Sequence, residues 1–418
     1  MIVLDIVSVK RERGLTAHVR YFLDKANAFF RIFLTRCRMA DHSVVQRIYN
    51  NRREVVMTRF KVGVTAVGLV VGMLFGGPAI AWKRGAVDVL AVLPDVTPGI
   101  QSSVEGLTVG ADGNIYVPTF GFNTKGALTG NAVLFVISPN GQMIRKVTIA
   151  NSSPHMLGLA FNPVTKDLLV LDFGAGNVLK VDPKTGVSSV FMGPVAKSGL
   201  NALTFDNSGN VYVSDSFNGV IWKTGKNGGA FAPWSSGVLL QPGVPPLTPP
   251  GLTPPFGANG VEFNNAGTMM YVANTAFHQI IQIPVNPDGT AGTASILITG
   301  INAPDGIMVD RDDNIWVCAN QEDEIVVIDK TGKVIAKLGD FRGIGPNGIA
   351  RGLLFPASLA FSNDRSWLYV SNLTLNLPFA GAEPAIDSAW TLQVKGYTVS
   401  RLRAKIPSIK DDKDDNEQ

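Results

Sequence analysis

The stretch NGVEFNNAGTMMYVAN, residues 259–274, holds an apolar strand phrase, a turn of Asn and Gly, and a second phrase of alternating apolar residues. Asn and Gly tolerate positive φ and close tight turns, so the stretch reads as strand, turn, strand. Its first phrase returns along the chain as EGLTV from Glu105, LGLAF from Leu157, NALTF from Asn201, DGIMV from Asp305 and ASLAF from Ala357. Second phrases follow as NIYV, NVYV, NIWV and WLYV, after turns such as GADGN at Gly110, DNSGN at Asp206 and DRDDN at Asp310. A repeat of roughly 45–60 residues built only of short strands is the signature of a ring of four-stranded blades. The six phrases predict an all-β, six-bladed β-propeller with the phrases as innermost strands.

Third strands such as VLKVDPKTG and IVVIDKTGK end in Pro, Gly and Asp turns that lead to outer strands in the first five modules. The last module ends at YTVSRLRA without an outer partner, and AVDVLAVL from Ala86 is predicted to complete it. That pairing closes the ring and removes an open sheet edge. Three insertions break the period: FGFNTKGALTGN after Thr119, a Pro-rich segment from Ala230 to Gly257, and LTLNLPFAGAEPAIDSAW from Leu373. Strand direction brings all three out on the face where the six phrases begin, as rims with partly apolar walls. Tyr116, Tyr212, Trp222, Tyr271, Trp316 and Tyr369 are expected to pack between blades.

The chain of 418 residues carries 44 Gly and 25 Pro at 45% apolar content, which fits a turn-rich, well-buried β protein. The basic excess is local. Residues 1–61 hold 13 Lys and Arg against 5 Asp and Glu, and the remainder holds 24 against 28. The repeat region is mildly acidic and has no basic stripe, which argues against nucleic-acid binding. Two cysteines, Cys37 and Cys318, cannot build a disulfide framework, and Cys318 in IWVCAN reads as a small buried side chain.

From Met57 the order is a short basic region, MTRFK, an apolar run, VGVTAVGLVVGMLFGG, and the small-residue site Ala79-Ile80-Ala81. This is the order of a secretory signal peptide, with Trp82 as first mature residue, or of an uncleaved anchor. The expected organisation is a basic extension 1–56, a signal or anchor 57–81, the propeller 82–405 and a charged tail 406–418. The extension is either a start-site artefact upstream of Met57 or a cytoplasmic tail, which the positive-inside rule allows. The propeller is expected to be periplasmic or secreted, or tethered to the inner membrane through that anchor alone.

The first residues of the six phrases converge on the axis, and four of them are Glu105, Asn201, Asn259 and Asp305. Two carboxylates and two amide carbonyls suit a hard cation such as calcium, with water and substrate completing the shell. Strand-start capping by Asx hydrogen bonds is the competing explanation. His155, in SPHMLGLAF, lies two residues before the axial position of its module and is a candidate base; His278 is a candidate substrate contact. A second ring of Asp172, Asp215, Asn274, Asn320 and Asn372 is expected at the ends of the second strands. Most of its members should brace turns, and one or two are candidates to support the site from behind or to act as bases.

The phrases EGLTVGADGNIYV, NALTFDNSGNVYVSDS, NGVEFNNAGTMMYVAN and PDGIMVDRDDNIWVCAN resemble the six-bladed propellers of the senescence marker protein/gluconolactonase family. That group is similar to diisopropyl fluorophosphatase, the paraoxonases and bacterial lactonases, and more distantly to strictosidine synthase. The resemblance implies a calcium or other divalent ion at the tunnel mouth, held by Glu105, Asn201, Asn259 and Asp305. It further implies a hydrolase of a lactone or related ester acting on a small-molecule substrate, with water activated at the cation, by Asp305 or Glu105, or by His155. The third module departs from the sugar lactonases, reading Asn-Ala where they show Asn-Asp-Gly. A non-catalytic propeller that binds a ligand or partner, and a metal-free enzyme of the strictosidine synthase kind, are the alternatives.

Overall fold

The structure is a computed structural model and describes residues 84–243, 256–380 and 388–406. These form six four-stranded antiparallel sheets arranged as blades around one axis. Blade 1 runs from inner to outer strand as Thr108–Val109, Ile115–Pro118, Val133–Ile137 and Met143–Thr148. Blade 2 is Met156–Phe161, Leu168–Asp172, Asn177–Val181 and Ser188–Met192. Blade 3 is Leu200–Phe205, Val211–Asp215, Val220–Thr224 and Phe231–Ser236. Blade 4 is Ala258–Phe263, Met269–Asn274, Gln279–Pro284 and Ser295–Thr299. Blade 5 is Pro304–Val309, Ile315–Ala319, Glu324–Ile328 and Val334–Leu338.

Blade 6 combines Pro356–Phe361, Trp367–Asn372 and Thr398–Arg403 with Val87–Val92 as its outer strand. Val87 pairs with Leu402 and Val92 with Thr398, so the ring closes as the unpaired edge of the last module required. The Pro-rich insertion starts later than expected, because Phe231–Ser236 is the outer strand of blade 3 rather than loop. Pro233 is compatible with that place since an outermost strand has one row of N–H groups without a ladder partner. Trp234 packs edge-on against Tyr212 at 5.2 Å and fixes the strand on its blade. Two small ribbons sit outside the blades, Phe122–Asn123 with Gly126–Ala127 and Phe341–Ile344 with Ala350–Gly352. The Met57–Ala81 stretch and Cys37 lie outside the described residues, among which no helix is long and apolar enough to cross a membrane.

The core lies between blades rather than within them. Six buried apolar clusters occupy the six interfaces, each drawing alternate residues from two neighbouring sheets. Second-strand aromatics bridge three of these interfaces edge-on to the last residue of the next inner strand: Tyr116 to Phe161, Tyr212 to Phe263 and Trp316 to Phe361. The same rings tie the turns down. Tyr116 Oη and Trp316 Nε1 donate to the turn carboxylates Asp112 and Asp310 at 2.8 and 2.9 Å, and Tyr212 does so more weakly to Asp206. Each Asp also accepts from an Asn further along its turn, at Asn114, Asn210 and Asn314, which is why the turns repeat those letters.

Candidate metal centre at the propeller axis

Each inner strand carries one extra residue at its site end. Leu200 pairs with Asp215 and Leu203 with Val213, so the two residues Asn201 and Ala202 face one partner, Ser214. The same offset falls at Leu157, Asn259, Asp305 and Ala357, and between the Val104 to Thr119 bridge and the Thr108 to Tyr116 pair around Glu105. A bulge turns a side chain out of the pleat and re-aims it, here toward the axis. The position that follows is Gly in four blades, because neighbouring inner strands approach backbone to backbone. A Cβ on Gly106, Gly158, Gly260 or Gly306 would lie 2.2–2.6 Å from the carbonyl oxygen of the next blade's bulge residue.

Glu105, Asn201, Asn259 and Asp305 are 4–6% exposed and meet in one cavity at the mouth of the axis. Each keeps a buried oxygen with no hydrogen-bond donor: Glu105 Oε2, Asn201 Oδ1, Asn259 Oδ1 and Asp305 Oδ1. The remaining atoms of two of them are committed to neighbours. Asn259 Nδ2 donates to Thr275 Oγ1 at 3.0 Å, and that hydroxyl donates to Pro304 O at 2.8 Å. With its proton spent on Pro304, Thr275 can only accept from Asn259, which fixes the amide with its oxygen toward the cavity. Asn320 Nδ2 donates to Asp305 Oδ2 at 2.8 Å and is itself held by Gln321.

Burial, and for Glu105 the adjacent Asp305 charge, pushes both carboxyls above the usual carboxylate range. Strand capping does not account for this arrangement, since a capping oxygen accepts a backbone N–H and these four accept nothing. Orphaned buried oxygens are costly, and a cation bound among them would remove that cost. The donor set, two carboxylates and two amide carbonyls, fits a hard divalent ion such as calcium. No three His, Cys, Asp or Glu side chains cluster among the described residues, because half of the donors here are amides. Cys318 is fully buried, and burial, followed by the charges of Asp305 and Glu105, pushes its thiol up.

The second ring is corrected by register. Met156, Leu200, Ala258 and Pro356 precede their bulges and pair with Asp172, Asp215, Asn274 and Asn372, whereas the matching Pro304 pairs with Ala319. Asn320 is therefore one residue further on, and a one-residue step reverses the face of a strand. The four true members brace turns. Asp215, for instance, accepts from Gly199 N, Asn218 Nδ2 and Trp222 Nε1, and Asn372 spans Leu354 N, Thr398 and Ser400. The step beyond them forms a further ring of Phe120, Phe173, Ser216, Thr275, Asn320 and Leu373, and all but Ser216 line the cavity. Sequence reading stopped one letter short of it in four blades and named only its Asn320.

That ring divides the site in two. Blades 3, 4 and 5 contribute Asn201, Asn259, Asp305, Thr275 and Asn320. Blades 6, 1 and 2 contribute, Glu105 apart, a buried apolar cluster that includes Phe120, Phe122, Leu157, Phe355 and three leucines, Leu373, Leu375 and Leu377. An arc of aromatic contacts runs along the wall. Phe256 meets Phe217 at 5.4 Å, Phe217 meets Phe173 at 5.5 Å, Phe173 meets Phe120 at 5.9 Å and Phe120 meets Phe122 at 5.0 Å. The cavity measures about 350 Å³.

His155 stands behind this wall, stacked on Phe122 at 4.5 Å, and is not among the side chains that line the cavity. Its Nδ1 lies 2.7 Å from Phe120 O; a carbonyl only accepts, so Nδ1 is the donor of this bond. His278 Nδ1 accepts the Ala303 N–H at 2.9 Å, a structural contact outside the cavity.

A six-bladed propeller with a buried acid and amide site at one end of its axis defines the class of this protein. Residues 254–339, which contain blades 4 and 5, are similar to the SMP-30/Gluconolactonase/LRE-like region. Lactonase drp35 of Staphylococcus haemolyticus and that of Staphylococcus aureus are each 25% identical over 144 residues. Those matches cover 33% of this chain and 41% of the relatives, so the chain spans about two fifths of their length. Among solved structures, a calcium-binding regucalcin from Agrobacterium tumefaciens superposes with a TM-score of 0.51 at 19% identity, covering 76% of this chain and 93% of its own. A gluconolactonase from Xanthomonas campestris does so with a TM-score of 0.50 at 13% identity, covering 78% and 98%. At such identities these two show the shared fold.

Proposed function

We propose that this propeller is a divalent-cation-dependent hydrolase of a lactone or related ester, with calcium as the ion. The observation that carries the reading is the set of four buried, unpartnered oxygens on Glu105, Asn201, Asn259 and Asp305. The lactonase names of the distant relatives point the same way. When bound, the cation would supply Lewis acidity toward a carbonyl oxygen. Asn259 and Asp305 are held by Thr275 and Asn320, so their oxygens keep their aim whether or not a substrate is present. The apolar half of the cavity would exclude bulk water from the reacting carbonyl and strengthen electrostatic interactions there. A proton released by attacking water has two carboxylates within the cavity to receive it, Asp305 and Glu105. His155 would act only across the Phe122 wall.

Hydrolysis of a lactone panel by the purified protein tests the reading. Activity is expected to be lost on chelation with EDTA, restored by Ca²⁺, and reduced at least a hundredfold in Asn259→Ala with the fold intact. A folded protein that takes up no divalent ion in calorimetry refutes the site and the function together. Lactone hydrolysis that survives chelation refutes the dependence on a cation.

A further inference from the structure

We infer that the substrate is an apolar lactone or ester, one carrying an alkyl or aryl substituent, and not a polyhydroxylated sugar lactone; this rests on the hydrolase reading above. Ten of the sixteen described residues that line the cavity are Phe or Leu. The six polar ones are the four oxygen donors with Thr275 and Asn320, and these two already serve Asn259 and Asp305. A sugar lactone brings several hydroxyls, and each one buried without a partner costs binding energy. The side-chain donors available to meet them are few. Thr275 Oγ1 has spent its one proton and Asn259 Nδ2 and Asn320 Nδ2 one N–H each, which leaves the Asn201 amide and a single N–H on each of the other two. No Lys, Arg, Ser, Tyr or Trp lines the cavity among the described residues.

The apolar half, by contrast, offers a continuous surface. The arc of rings begins at Phe256 and Phe217, beside blades 3 and 4, and runs to Phe120 and Phe122, which cluster with the leucines that follow the second strand of blade 6. A carbonyl placed at the oxygen donors therefore puts its substituent against rings. Phe217 lines the cavity and is 40% exposed, so its ring is accessible to a substituent. A cavity of about 350 Å³ is at the small end for ligand sites, which suits a single ring with a short chain.

The test uses the full chain with Ca²⁺ added. γ-Lactones of increasing alkyl length, from butyrolactone upward, and glucono-δ-lactone are compared for turnover, while matched γ-alkyl lactams, which resist hydrolysis, are titrated by calorimetry. Lactone kcat/KM and lactam affinity are both expected to rise about 4-fold per methylene, the equivalent of about 0.8 kcal/mol, until the cavity is full. Phe217→Asn, at an exposed position, is expected to flatten both series. Preference for glucono-δ-lactone over the alkyl lactones overturns the inference and leaves the hydrolase reading standing. Lactam affinity that ignores chain length also overturns it. Length-dependent lactam binding with no lactone hydrolysed overturns the hydrolase reading and keeps the apolar ligand class.

Discussion

Asp215 ends the second strand of blade 3 and Asn320 follows that of blade 5; they carry similar side chains and do different work. Asp215 holds a turn through at least three donors, whereas Asn320 spends its Nδ2 on Asp305 alone and faces the cavity. Asn320→Ala is expected to keep the unfolding midpoint within about 1 kcal/mol of the parent and to weaken Ca²⁺ binding about 10–100-fold by freeing Asp305 Oδ2. Asp215→Ala should do the reverse, costing about 2–4 kcal/mol in denaturant unfolding because several buried donors lose their acceptor. Equal effects of the two substitutions on both measurements would contradict this division. The letters alone could not separate these residues, because Asp and Asn suit turn bracing and oxygen presentation equally well. The four axial residues were legible because a repeated phrase put them in register, and Asn320 was misassigned because Ala319 occupies the matching place in its blade.

At the scale of elements, the bulge and the glycine after it work as one device. The bulge re-aims the axial side chain, and the absent Cβ lets the next inner strand close in behind it. A methyl on Gly260 would sit 2.2 Å from Asp305 O and 2.8 Å from Ile307 N, both backbone atoms of the neighbouring ligand strand. Gly260→Ala is expected to destabilise the protein by about 1–3 kcal/mol and to lower cation affinity with it, since it pushes Asp305 away from Asn259. Gly225→Ala, where nothing lies within 4 Å, is the control and should stay within about 0.5 kcal/mol. Unchanged stability and affinity in Gly260→Ala would mean that the inner strands can part without cost. Blades 3 and 6 lack this glycine and use Ala202 and Ser358, each beside a second-strand serine: Ser214 Oγ accepts the Ala202 N–H, and Ser371 Oγ accepts that of Ser358. The aromatic arc belongs to this scale as well. Phe120 and Phe173 hold equivalent places after their second strands, but Phe122, Phe217 and Phe256 share no common period with them, so strand reading, which depends on repetition, could announce apolar rims but not their continuity.

For the whole molecule, stability is spread over six interface cores, and two of them are incomplete until blade 6 has its fourth strand. Val87 is 4% exposed in the core between blades 5 and 6, while Ala91 serves the core between blades 6 and 1. Val87→Asp places a charge in the first of these and is expected to cost about 3 kcal/mol or more. The loss should show as one cooperative transition at lower denaturant, because opening the ring exposes edges on both sides. Separate melting of blade 6, seen as hydrogen exchange confined to Trp367–Asn372 and Thr398–Arg403, would argue for independent blades instead. The closing pair also imposes an order in time. Val87–Val92 is the first described strand to be synthesised and Thr398–Arg403 the last, so their partnership waits for nearly the entire chain. Blades 1 to 5 can form one after another from local hairpins, which are fast contacts. The early strand meanwhile stays unpaired, with Val87 and Ala91 uncovered. Until its late partner arrives the chain is an open arc, exposed to mispairing, and its last step is the meeting of its two ends.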